Sequence, residues 1–167
     1  GRAPQELRVG WVGEFPDHTI LFSRVHDEVC SSLRFTHVPV KEAEARAIET
    51  LDSLAASHLW GRATSELSGG EKALVAFAAA VVNGPQLLVL DEVDSHLDER
   101  CAMVISDSMF RSGCQTVFCT QDMDLAAKAD EVVFLEAGRV FRNGPPREVF
   151  QEMEDKCFYP PSWRMEL

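Results

Sequence analysis

Two short runs of this sequence carry residues that could do chemistry. The first is Leu67-Ser68-Gly69-Gly70-Glu71-Lys72. Ser68 and Glu71 stand at the Ser-x-x-Glu spacing of a capping box, in which each side chain satisfies a free N–H at a helix start. That leaves two consecutive glycines without a reason, although glycine costs a helix stability. Glycines let the backbone approach a ligand, and a helix start directs its dipole and free N–H groups at it. The guest suited to that chemistry is an anion, most naturally a phosphate. About twenty residues later comes the second run, Leu87-Leu88-Val89-Leu90-Asp91-Glu92. Its apolar residues read as a strand buried on both faces, as in a parallel sheet. Two acids at the C-terminal end of such a strand sit where open α/β sheets bind ligands. Asp91 suits Mg²⁺, which prefers hard oxygen donors and keeps several waters. Glu92 could orient or deprotonate an attacking water. A strand running into a polar loop would explain Asp91 and Glu92 in isolation, but not their interval from the glycine-opened helix.

The elements that must position these runs follow from pattern. Residues 8–12 read as a strand ended by Gly13 and Pro16. After Pro39, Ala45, Ile48, Leu51 and Leu54 recur every three residues among charged neighbours and predict a helix. A second helix follows Gly69-Gly70, turns Leu74, Phe77, Ala78 and Val81 inward, and stops at Asn83-Gly84-Pro85. Thr116–Cys119 reads as another buried strand. Val132–Leu135 and Arg139–Phe141 form a hairpin about Glu136-Ala137-Gly138. A last helix covers roughly residues 146–154, ended by Phe158-Tyr159-Pro160-Pro161. Alternating strands and helices with apolar strands define an α/β fold with a parallel sheet, into which the mainly helical first sixty-odd residues look inserted.

Size and composition fit one domain. The 167 residues are 46% hydrophobic and 26% charged, enough to bury a core. The longest nearly unbroken apolar stretch, Ala73 to Val82, is far shorter than the ~20 residues of a membrane span. A net charge of −11 argues against nucleic acid as a partner, which calls for a basic patch. Five cysteines without a Cys-x-x-Cys pair and five histidines without ligand spacing read as free thiols and ordinary side chains. With no charged-then-apolar leader, a cytoplasmic location is expected.

In order and spacing, the motifs resemble the ATP-binding subunits of ABC transporters. Leu67–Lys72 is similar to the family signature and Leu87–Glu92 to its Walker B strand. Ser95-His96-Leu97-Asp98 is similar to the D-loop, and Thr120-Gln121-Asp122-Met123-Asp124-Leu125 falls at the switch segment. Val12-Gly13-Glu14-Phe15-Pro16-Asp17 falls at the Q-loop. Pro16-Asp17, Val25-His26-Asp27-Glu28-Val29 and the Pro160-Pro161 tail resemble the cobalt-type and energy-coupling-factor ATPases, importers of metal ions and vitamins. The resemblance implies a P-loop NTPase fold, here partial, with a parallel sheet core and an inserted helical subdomain. It divides 1–167 into a Q-loop region (1–23), a helical subdomain (24–66), a part with signature, Walker B, D-loop and switch (67–157), and a tail (158–167). It also implies ATP and Mg²⁺, a second ATP-binding subunit, a transmembrane transporter subunit, and a peripheral position on the inner face of the cell membrane. Asp91 would be the Mg²⁺ residue and Glu92 the catalytic base. Gln121 would be a switch residue, with Glu14 and Asp98 nucleotide contacts. Ser68, Gly69 and Gly70 would cap ATP held by the other subunit.

The family pattern is not complete. No Gly-x-x-x-x-Gly-Lys-Ser/Thr run precedes Glu14, so the cradle for the β- and γ-phosphates and the adenine-stacking aromatic are expected in a missing N-terminal region. The chain alone is expected to be inactive. Glu14 stands in place of glutamine and Gln121 in place of histidine. Glu14 adds negative charge, and glutamine cannot become cationic, so a slow site of its own is expected beside an intact signature. Val93 replaces the usual proline and is read as neutral. Two rival functions are a non-catalytic ABC-fold regulatory or assembly partner and a lobe of a repair or chromosome-maintenance ATPase. The latter is disfavoured because about fifty residues separate Glu14 from Leu67, too few for a long coiled coil.

Overall fold

The computed structural model describes residues 7–95, 97–153 and 158–164; His96, named above, lies outside them, as does Cys157, one of the five cysteines. The chain divides into two units, one running to Cys119 and the other from Thr120.

The first unit is built on three parallel strands, β1 (Val9–Val12), β2 (Leu87–Asp91) and β3 (Gln115–Cys119), in the order β1-β2-β3. One face of this sheet is packed by α4 (Gly69–Val81), and α5 (Glu99–Arg111) follows β2. Close crossing of α4 over β1 requires Gly10, because a Cβ there would fall 2.5 Å from the Ala80 carbonyl oxygen. Every residue of α4 from Ala73 to Ala78 is buried, since the helix also meets α2 (Val25–Phe35), α3 (Val40–Ser53) and α5. Such all-round burial is what an all-apolar helix demands. Val29, Cys30, Leu33, Ala47, Leu51 and Phe77 are wholly buried among these helices. A short helix, α1 (Pro16–Thr19), and 3₁₀ turns at Ser57–Leu59 and Thr64–Glu66 connect them.

Three expectations are corrected. The helix after Pro39 exists, but its inward face is Ala43, Ala47 and Leu51, while Ala45 and Ile48 are exposed. A three-residue repeat drifts around a helix of 3.6 residues per turn, and the four-residue spacing stays on one face. Nor are the strands buried on both faces: in β2 Leu88 and Leu90 are buried but Leu87 and Val89 half-buried. In β3, expected as another buried strand, Thr116 and Phe118 are half-buried and Val117 and Cys119 exposed. Both fall short because the far face of the sheet, with Val9, Trp11 and Val117 more than half exposed, has little over it among the described residues. Val81 is half-buried, not inward, and its neighbour Val82 is buried instead.

In the second unit, α6 (Met123–Ala126) precedes an antiparallel hairpin of β4 (Val132–Glu136) and β5 (Arg139–Gly144). The hairpin turns where expected, with Ala137 and Gly138 both at positive φ, the geometry that matches strand twist. The helix expected over 146–154 is α7, Pro146–Gln151, and Pro161–Arg164 forms α8 rather than plain tail. Phe134 packs on Phe141 and Phe158, and Phe150 on Trp163, edge to face. Ser162 donates twice to the Asp124 carboxylate, at 3.0 and 2.7 Å, joining α8 to α6. Among the described residues no helix is long and apolar enough to cross a membrane.

Candidate functional site

Local sequence builds the start of α4. Ser68 is extended, and its hydroxyl accepts from the Glu71 N–H at 3.2 Å, while the Glu71 carboxylate accepts from the Ser68 N–H at 2.7 Å. The capping box read from the sequence is therefore made. It holds the Glu71 carboxyl below the usual range, chiefly through the Ser68 N–H and further through the Arg62 charge. The paired glycines separate into two cases. A Cβ on Gly70 would sit 2.9 Å from Cys101 Sγ and 3.1 Å from Asp98 Oδ2, whereas one on Gly69 would meet nothing within 4 Å. Gly70 is thus demanded by the packing of α4 on the start of α5. Gly69 has no packing reason and opens the helix to its surroundings.

The second part of the site is an edge of the sheet. Because β1, β2 and β3 run parallel in register, with Val12 opposite Leu90 and Asp91 opposite Cys119, their C-terminal ends lie side by side. Glu14 follows β1 at the edge where Asp91 and Glu92 leave β2. Asp91 is exposed and Glu92 half-buried. Glu92 has a φ of 47°, a region costly for a side-chain-bearing residue and frequent at functional sites. Its backbone is pinned there: the N–H donates to the Cys119 carbonyl at 3.1 Å, and the carbonyl accepts from the N–H and hydroxyl of Ser95 at 3.1 and 2.8 Å. The Cys119 thiol at this edge is pushed up by partial desolvation and then by the neighbouring Asp91 carboxylate.

Asp98 caps α5, accepting from the Cys101 N–H at 2.8 Å, and this bond keeps its carboxyl low. Its other oxygen faces Gly70, so the structure brings Asp98 to the start of α4. Gln121 opens the second unit, where Asp122 caps α6 by accepting from the N–H groups of Asp124 and Leu125.

Sequence reasoning passed over several supporting residues. Lys72 pairs with Asp17 of α1, tying the residues after Glu14 to the first turn of α4. The buried Glu28 carboxylate accepts from the N–H groups of Leu21 and Phe22, each at 2.8 Å, and Thr64 donates to the Phe22 carbonyl at 2.8 Å. Arg62 donates to Glu71 at 2.8 Å and to the Glu66 carbonyl at 2.7 Å. Glu28 lies within a quoted motif; nothing in the sequence pairs Arg62 with Glu71.

Among the described residues no three His, Cys, Asp or Glu side chains converge as a metal cage. An exposed carboxylate at a sheet edge fits an ion such as Mg²⁺, which is commonly held by one or two carboxylates together with phosphate oxygens and water.

A parallel sheet with acids at its C-terminal edge and a capped, glycine-opened helix leading into its middle strand is the layout of an ATP-binding domain, and the chain belongs to the ABC transporter family. The family model described as ABC transporter matches residues 2–95. Among relatives, the energy-coupling factor transporter ATP-binding protein EcfA1 of Latilactobacillus sakei is 31% identical over 147 residues, covering 86% of this chain and 52% of the relative. EcfA2 of Streptococcus sanguinis is 36% identical over 152 residues, covering 88% and 54%. The solved structure of cbiO1 from Clostridium perfringens, described as part of the ABC transporter complex cbiONQ, superposes with a TM-score of 0.75 at 29% identity. That superposition covers 89% of this chain and 61% of that one. The chain spans about half the length of the curated relatives it matches, and its partial P-loop NTPase fold is that of their ATP-binding domains.

Proposed function

We propose that the chain serves as the ATP-binding component of an energy-coupling-factor or cobalt-type importer, peripheral on the inner face of a membrane. It would work with a second ATP-binding subunit and a transmembrane subunit. What supports this most is the sheet edge where parallel strands put Glu14 beside Asp91 and Glu92. In this reading Asp91 holds the metal and Glu92, fixed at positive φ, orients the attacking water. Bound there, Mg²⁺ offsets the negative charge of the phosphates. Glu14 and Gln121 are altered sensors, so this chain's own site turns over slowly.

Ser68, Gly69 and Gly70 face the nucleotide of the second subunit. Gly69 lets that phosphate approach, and the first-turn N–H groups of α4 donate to it with the strength of charge-assisted bonds. Asp98 braces the same helix start through its contact with Gly70. The 167 residues contain no phosphate-loop motif, and the chain by itself binds Mg-ATP weakly.

Steady-state ATP turnover of mixed assemblies tests the reading, with this chain in its natural protein beside a complete second subunit. Gly69→Glu, which repels and obstructs the phosphate, collapses turnover; Glu92→Gln, in the slower site, costs less. The opposite ranking would make this chain's own site the productive one. Turnover unmoved by either substitution would favour the regulatory reading, which the substituted Glu14 and Gln121 also suit.

A further inference from the structure

The start of α4 contains an electrostatic contradiction. A helix start that receives an anion works through its positive end, yet Glu71 places a full negative charge in that first turn. Its carboxylate is only partly solvated, the side chain being 24% exposed, so water does not fully screen it. Arg62 answers this charge. Its guanidinium donates to Glu71 Oε1 at 2.8 Å and to the Glu66 carbonyl at 2.7 Å, while Glu71 Oε2 accepts from the Ser68 N–H. Arg62 is itself held: its carbonyl accepts from Val25 at 3.2 Å, its N–H donates to Leu59 at 2.9 Å, and Ala63 bridges to Arg24. His58 approaches the same Glu71 oxygen at 4.0 Å.

We propose that Arg62 is a positioning residue for the phosphate-facing start of α4, holding the Glu71 carboxylate on the Ser68 N–H and neutralising it so that it does not repel the phosphate. This rests on reading Ser68–Gly70 as phosphate-facing. The direction of the Glu71 shift agrees with the geometry, since the Arg62 charge is among the causes that favour the ionised carboxylate. Two-point anchoring by a planar fork is a task for arginine, and lysine would hold only one acceptor well.

The test uses the natural protein assembled with a second ATP-binding subunit, and ATP as the probe. Arg62→Met is expected to raise KM for ATP at the site capped by α4 roughly five-fold, with kcat changing less, from a charge acting on a helix start. In a Glu71→Gln background the same substitution should change KM by less than about two-fold, because no carboxylate remains to be neutralised. A purely structural Arg62 would act alike in both backgrounds. Arg62→Lys, which keeps the charge if Arg62→Met melts too low to assay, should fall between the two. Gly69→Glu is the control. If it collapses turnover while Arg62→Met is silent, or equally harmful with and without Glu71, the role of Arg62 is overturned and the phosphate-facing reading survives. If Gly69→Glu itself is silent, both are overturned.

Discussion

The start of α4 and the end of β2 belong to one unit and in the proposed function serve one kind of chemistry, yet they are held in opposite ways. At the α4 start the capping and pairing preferences are met. Ser68 and Glu71 cap each other, Arg62 secures Glu71, Lys72 reaches Asp17, and Gly70 is small where α5 demands it. At the end of β2 a rule is broken: Glu92 sits at positive φ with a side chain that disfavours it, kept there by Cys119 and Ser95. In the proposed function the start of α4 needs an ordered first turn, which the capping box provides. It satisfies the Ser68 and Glu71 N–H groups and leaves those of Gly69 and Gly70 to the ligand. If Glu92 orients water as proposed, its carboxylate must point where the strand would not naturally send it, which Cys119 on β3 and Ser95 in the following turn impose. Violations of local preference concentrate at functional positions for this reason.

If that contrast is right, substitutions at the two places should differ in sign. Gly70→Val should be the most damaging to stability, by about 2 kcal/mol, since Cys101 and Asp98 must move. A loss under ~0.5 kcal/mol in a chemical melt would mean that α4 and α5 are not in contact as described. Ser68→Ala should cost about 1 kcal/mol through the lost cap, read in the same melt. Glu92→Gly should go the other way and stabilise by up to about 1 kcal/mol by releasing strain. Destabilisation there would show that the side chain contributes more than its backbone costs. Gly69→Ala, with open space around it, should stay within about 0.5 kcal/mol of the parent, so that any larger effect on turnover belongs to the ligand. The smallest effect concerns pH. Glu71 and Asp98 titrate below their ordinary values when folded, so their contributions are present above the ordinary carboxylate range and disappear as pH falls through the lowered values. In the Glu71→Gln variant the acid-side fall of the melting temperature should become shallower; an unchanged slope would remove Glu71 from the linkage.

Much of the first unit was legible. Ser68-x-x-Glu71, the apolar run of β2 and the two acids after it are local patterns, and the resemblance carried by five ordered motifs placed them in one family. The helix after Pro39 was found but its face was not, because a three-residue repeat and a four-residue repeat coincide over one turn and part over three. Full burial of β2 was over-read from composition, since an apolar residue states a preference and only its neighbours decide whether anything covers it. Gly70 reads in the sequence as opening the backbone to a ligand; that its packing against Cys101 and Asp98 demands a small residue was not legible.

By itself the sequence determined the capping box, the order of strands and helices, and the residue types available for phosphate and metal chemistry, because these depend on spacing within a turn or a strand. Tertiary structure alone decided that Glu14 leaves the same sheet edge as Asp91 and Glu92, that Arg62 meets Glu71, and that Asp98 faces Gly70. Parallel pairing and helix packing bring together residues far apart along the chain, and no local pattern records which partner will be there. The strain at Glu92 falls partly under the same heading: the carbonyl of Cys119, on the neighbouring strand, accepts from its N–H, while Ser95, three residues on, holds its carbonyl.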